Sequence, residues 1–247
     1  MVQAILFDLD GTLLDCDMDL FLVHYTKLLA ESVADRIAPP LLVKQLMAST
    51  EAMVRNLDPR VTNREAFNAD FFPKLGYDVR EMEPVFDRFY RERFPLLRER
   101  AKRKPAARRV VEAAQRRGWD IVVATNPVFP RIAIEERLRW AGVADLPWKL
   151  ITAYEDMHFC KPNPEYYQEI LSLIGRRPEE CLMVGNDTLE DLVARKLGIW
   201  TYLAEENIID RGAAGFQPHL RGRLDDLLPL IERGELVDAL RAAQRSA

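Results

Sequence analysis

Apolar positions along this chain follow two rhythms. Short continuous apolar runs occur at 2–7 (VQAILF), 120–124 (DIVVA), 150–152, 181–184 (CLMV) and 199–203 (IWTYL). Runs of this length, rich in Val, Ile and Leu, predict strands buried on both faces. Between them, 105–117, 130–141, 164–174 and 188–197 place apolar residues three and four apart, and each is followed by a glycine (Gly118, Gly142, Gly175, Gly198) suited to a helix C-terminus. Strand and helix alternate with short connections, which predicts a three-layer α/β/α architecture, a Rossmann-like parallel sheet with helices on both faces.

The alternation breaks once. From residue 17 to 100 there is no convincing strand, and apolar residues recur at helical spacing, as in Leu20, Val23, Leu28 and then Leu41, Leu42, Leu46. Pro39-Pro40, Asp58-Pro59, Gly76 and Pro95 divide the stretch into about four helices. The expected organisation is an α/β core of residues 1–15 and 101–247, with an α-helical cap, 16–100, inserted after the first strand. The end of the chain, 223–247, predicts one or two amphipathic helices around Gly234.

Composition narrows the function. The 247 residues carry 35 Lys+Arg against 39 Asp+Glu, a net charge of −4, with 48% hydrophobic and 30% charged residues. Such a chain can bury a core and has no general attraction for nucleic acid or anionic membranes. The insert is balanced too, with 13 basic and 14 acidic residues over 16–100. No apolar run spans a bilayer, and the first residues lack the basic segment of a signal peptide. Cys16, Cys160 and Cys181 are odd in number and far apart, against a disulfide framework and in favour of a reducing cytoplasm.

Chemistry-bearing residues bunch beside the predicted strand ends, where open α/β sheets bind ligands. Asp8-Leu9-Asp10-Gly11-Thr12 follows the first strand, and two carboxylates that close are costly unless a cation or a reaction uses them. Thr125-Asn126 closes the second strand, Lys161-Pro162 precedes a helix, and Gly185-Asn186-Asp187 is followed by Asp191 in what reads as the first turn of the next helix. Singly, each has a plainer explanation: a turn for Asp8 and Asp10, a strand end for Thr125, a solvated lysine for Lys161, a helix cap for Asp187 and a dipole partner for Asp191.

Taken in order, the four pieces resemble the haloacid dehalogenase (HAD) superfamily, whose members are mostly phosphotransferases. Asp8, Asp10, Gly11 and Thr12 meet its DxDGT motif, Thr125 its second motif, Lys161 its third, and Gly185-Asn186-Asp187 with Asp191 its fourth. The resemblance implies a C1-capped, Mg²⁺-dependent phosphatase acting on a small phosphorylated metabolite. It implies Asp8 as nucleophile, Asp10 as acid and base, Thr125, Asn126 and Lys161 as the phosphate cradle, and Mg²⁺ held by Asp8, Asp187 and the Asp10 carbonyl. Asp191 would bind metal-bound water or steady Lys161. The rivals are a phosphomutase of the same superfamily, a 2-haloacid dehalogenase and a non-catalytic binding protein.

Other candidates carry less. His24, Lys44 and Arg55 in the insert and His158 near Lys161 are secondary candidates for substrate contact, and the basic run 98–109 reads as a solvated linker and helix face. Trp119, Trp140, Trp148 and Trp200 read as packing residues. No GxxxxGK[ST], GxGxxG or HExxH occurs.

Overall fold

The computed structural model describes residues 1–212 and 215–245. Strands β1 (Ala4–Phe7), β4 (Asp120–Val123), β5 (Leu150–Ile151), β6 (Cys181–Gly185), β7 (Trp200–Ala204) and β8 (Leu220–Gly222) form one sheet in the order β5-β4-β1-β6-β7-β8. Every pair in it is parallel, and β1 lies between β4 and β6 with Phe7 opposite both Val123 and Val184. The two faces of the sheet feed two cores. Ile5, Phe7, Ile121, Val123, Leu182 and Val184 pack on one side with α5 (Pro105–Arg116), α6 (Arg131–Ala141), α8 (Leu224–Arg233) and α9 (Leu236–Arg245). Ala4, Leu6, Val122 and Met183 pack on the other with α7 (Pro164–Ile174) and a 3₁₀ segment, Leu192–Leu197. This is the predicted three-layer fold: the period-2 alternation within runs that are apolar throughout gives each strand two buried faces.

Four helices fill the interruption: α1 (Met18–Ser32), α2 (Pro39–Val54), α3 (Asn63–Leu75) and α4 (Val79–Glu92), followed by a 3₁₀ segment, Phe94–Arg100. Their starts follow local chemistry. Asp17 accepts the Leu20 amide at 3.1 Å, and Thr62 and Glu65 form a reciprocal capping box before α3. The helices join the core rather than standing apart from it: Phe94 stacks on Trp140 of α6 with ring centroids 5.6 Å apart, and the amides of Asn63 and Arg64 reach the carbonyls of Met157 and Tyr154 at 2.8 Å each. The end of the chain forms two helices, with Gly234 left-handed at φ 79° between them; residues 246 and 247 of that predicted tail lie outside the described residues.

Three expectations need correction. A two-stranded antiparallel ribbon, β2 (Leu14–Cys16) with β3 (Ala101–Arg103), stands where the chain enters and leaves the helical region; neither strand was expected. The helix expected over 188–197 is a turn followed by the short 3₁₀ segment. The basic run is only partly solvated, because Lys104 is buried and donates to the Gly11 carbonyl at 2.6 Å. Among the described residues no helix is long and apolar enough to cross a membrane, and the three cysteines are free and buried.

Candidate active site

After β1 the chain runs out to β4 and β5, then returns to the other side of β1 with β6. The direction of winding therefore reverses between β1 and β6, and a crevice opens beyond their carboxyl ends. Asp8 follows β1 and Asp187 follows β6, so the two carboxylates flank that crevice. The Asp8 amide is tied to the Val184 carbonyl at 2.9 Å. Gly11 turns the loop with φ 81°; a Cβ there would lie 2.3 Å from Asn186 Nδ2, so both the conformation and the contact demand glycine. Thr12 Oγ1 lies 3.0 Å from Asn186 Oδ1 and 3.4 Å from Asp8 Oδ2, linking the first and fourth motifs.

Lys161 is the hub. Its ammonium is 1% exposed and donates to Asp8 Oδ1 at 3.0 Å and Asp191 Oδ1 at 2.7 Å. Asp191 Oδ2 in turn accepts the Asp187 amide at 2.9 Å. Burial pulls the lysine down, but Asp191 and Asp8 outweigh it and hold Lys161 well above its ordinary value. Burial is also the main influence on Asp8. It raises that carboxyl despite the pull of Lys161, and Asp10 adds to the rise. Asp191 is thus in direct contact with Lys161.

Thr125 is buried beside the crevice, and its carbonyl is fixed by Thr152 Oγ1 at 2.7 Å and Tyr166 Oη at 2.8 Å. The Asn126 side chain is a brace: Oδ1 accepts the Lys161 amide at 3.2 Å and Nδ2 donates to Glu190 Oε2 at 3.1 Å. Any contact of Asn126 with a bound anion therefore falls to its backbone.

Three side chains of the site were not picked out from the sequence. Arg137 of α6 is 1% exposed, lies over the Phe129 ring at 4.6 Å and pairs through Nη1 with Asp10 Oδ2. Asp10 Oδ1 and Arg137 Nη2 are buried without a partner. Burial raises Asp10, and Arg137 and then Lys161 pull it back without cancelling the rise. Glu190 is raised to about 7 by burial, opposed by Lys161 and aided by Asp187 and Asp191. Arg211 donates through Nε to Asp187 Oδ2 at 2.6 Å and approaches Glu190 at 3.5 Å.

The donor set suits a hard cation. Asp8 and Asp187 offer carboxylate oxygens, and the loop's backbone hydrogen bonds fall on the Leu9 and Leu14 carbonyls rather than on that of Asp10. Among the described residues no three His, Cys, Asp or Glu side chains group to hold a metal by themselves. A cation here would rest on two carboxylates, a carbonyl and water, the mixed shell that Mg²⁺ prefers. Asp187 Oδ1 is taken by the Leu189 and Glu190 amides at 2.8 and 2.9 Å, so Oδ2, now on Arg211, is the oxygen such an ion would use.

Asp8, Asp10, Thr125, Arg137, Asp187 and Asp191 border a cavity of about 800 Å³ between the strand ends and helices α1–α4, and Lys161 lies behind Asp8 and Asp191, outside its lining. His24, Lys44, Arg55 and His158 do not line it. Arg55 pairs with Glu51, and His158 Nδ1 lies 2.7 Å from Glu169.

A family model, hydrolase: haloacid dehalogenase-like hydrolase, matches residues 2–198. The pyrophosphatase PpaX of Bacillus cereus (strain AH820) is 24% identical over 241 residues, covering 93% of this chain and 96% of the relative. Among solved structures, a predicted phosphoglycolate phosphatase from Haemophilus somnus 129pt aligns with TM-score 0.57 and 17% identity over 93% of this chain and 97% of its own. The putative HAD-hydrolase YfnB from Bacillus subtilis, bound to magnesium, aligns with TM-score 0.56 and 20% identity over 93% and 98%. At these identities the structural likeness concerns the fold.

Proposed function

This chain belongs to the haloacid dehalogenase-like hydrolase family, and from that premise we propose that it is a Mg²⁺-dependent phosphatase that hydrolyses a small phosphate monoester through a phosphorylated Asp8. One observation carries the reading: Lys161 Nζ bridges the carboxylates of Asp8 and Asp191 in a buried site at the mouth of the sheet. A lysine so placed orients one Asp8 oxygen and offsets the charge of a phosphoryl group arriving there.

The residues divide the work. The carboxylate of Asp8 attacks phosphorus as the ester P–O bond breaks. Asp10 delivers a proton to the departing alkoxide from Oδ1, the oxygen that Arg137 leaves free. Water then attacks the same phosphorus, Asp10 takes its proton, and Asp8 is released as carboxylate with inorganic phosphate. Thr125, the Asn126 backbone and Lys161 hold the non-bridging oxygens. Bound Mg²⁺, on Asp8, Asp187 and the Asp10 carbonyl, would neutralise phosphate charge. In this reading residues 1–15 and 101–247 form the catalytic core, and 16–100 form the cap that keeps bulk water out.

The test is phosphate release from p-nitrophenyl phosphate. Wild type should need Mg²⁺ and lose activity in EDTA, and Asp8→Asn should fall at least a thousandfold with its circular dichroism unchanged. Equal rates for the two proteins would defeat the assignment.

A further inference from the structure

We infer that the alcohol half of the substrate is cationic: the ester is an amino-alcohol phosphate, with a protonated or quaternary nitrogen. This rests on the phosphatase reading and deepens it. The cavity has two ends. The phosphoryl end holds Asp8, Asp10, Thr125 and Asp187, and the leaving group must extend from there toward the helices. That far wall carries the rings of Tyr25, Phe67, Phe72, Phe86, Tyr90 and Tyr154. They are held by each other: Tyr25 Oη lies 2.8 Å from Tyr90 Oη, and Phe86 packs edge-on to Phe72 at 5.7 Å.

Charge decides what such a wall accepts. Ten carboxylates line the cavity against two cations, Arg137 and Arg211, both on the core side. Arg137 is engaged by Asp10, and Arg211 by Asp187 and Glu190. Lys161 is engaged by Asp8 and Asp191. From the helices come Asp17, Asp19, Glu83 and Asp87, and no lysine or arginine. Glu83 pairs with Arg64, whose side chain lies outside the lining, whereas Asp17 and Asp87 have no ionic partner among the described residues. A second anionic group on the substrate, a carboxylate or another phosphate, would face these acids, and among the described residues no unpaired cation lines the cavity to receive it. A polyol would find Thr26, Thr50, Asn68 and the Tyr154 hydroxyl, the Tyr25 and Tyr90 hydroxyls being paired with each other, against six ring faces. An alkylammonium finds both of its attractions together, ring faces and the Glu83 and Asp87 carboxylates near Tyr154. At the core side of the same cavity, Asp10 Oδ1 and Arg137 Nη2 are buried without a partner.

The experiment compares kcat/KM, with Mg²⁺ present, for choline phosphate, its uncharged carbon isostere 3,3-dimethylbutyl phosphate, and phosphoglycolate. We expect the cationic ester to exceed its isostere by about tenfold and phosphoglycolate by about a hundredfold. Asp87→Asn should shrink the cationic-to-neutral ratio several-fold, and added salt should shrink it too. Turnover of the neutral isostere with a ratio near one, or a preference for phosphoglycolate, overturns the inference and leaves the phosphatase standing. Turnover of none of the three, nor of p-nitrophenyl phosphate, overturns both.

Discussion

Arg137→Met removes a buried charge and leaves its partner. The two side chains are 1% and 9% exposed, so water screens neither. Methionine reproduces much of the arginine stem, which keeps the cavity term small and isolates the electrostatics. Two unit charges in contact at an effective dielectric near 20 attract by about 4 kcal/mol, and truncating one member of a buried pair costs about 3–5 kcal/mol. Asp10 can escape part of this by taking up a proton. With Arg137 gone, only Lys161 is left to oppose burial, and the Asp10 pKa moves further up. A carboxyl whose folded pKa lies above the unfolded value destabilises progressively as pH rises through that window. The expected loss is thus about 3 kcal/mol at pH 7 and smaller at pH 5, where the raised Asp10 holds its proton. Urea unfolding at both pH values measures it, with Asp10→Asn and the double variant completing a cycle. The double variant should lose about 2–3 kcal/mol less than the sum of the singles. In kinetics, the alkaline limb of kcat/KM should move to higher pH, because a raised Asp10 keeps its proton longer. Losses under about 1 kcal/mol at both pH values, with additive singles, would refute the reasoning.

Two further outcomes follow from single contacts. Gly185→Ala would place a Cβ 2.1 Å from Asp191 Oδ2, so unfolding assays should show a loss of about 2 kcal/mol or more and kcat should drop more than tenfold as Asp191 is pushed off Lys161. His219 Nδ1 accepts the Thr201 amide at 3.1 Å, and burial with Arg195 nearby lowers its pKa from 6.5 to about 4. The unfolded chain binds the extra proton in that window, so stability should fall as pH drops from 6.5 to 4, by about 1 kcal/mol after allowing for partial exposure, and His219→Asn should flatten that slope.

Much of this fold can be read from the residues alone because its signals are local. VQAILF, DIVVA and CLMV are apolar runs too short for helices, and Gly142 and Gly175 end α6 and α7 where the pattern ends. What escaped was set by partners distant in sequence. Leu14–Cys16 and Ala101–Arg103 are three residues each, too short for any periodicity, and become strands only by meeting. Thr188 to Leu197 has helical spacing, but Asp187 Oδ1 takes the Leu189 and Glu190 amides and Asp191 turns to Lys161, so a turn replaces the first helical turn. Arg137 sits among Glu135, Glu136 and Arg139 and looks like one more surface charge; only the packing of α6 against the DxDGT loop buries it. Lys104, inside a basic run, is likewise singled out by the Gly11 carbonyl.

The β2–β3 ribbon makes the helical insert a closed excursion. Cys16 pairs with Ala101, so the chain departs and comes back one strand spacing apart, about 5 Å. A two-residue hairpin turn joining those positions would continue the ribbon in register. The chain of the helical insert thus enters and leaves through one stitched seam, and a differently shaped insert could be joined there without lengthening or shifting the strands of the sheet.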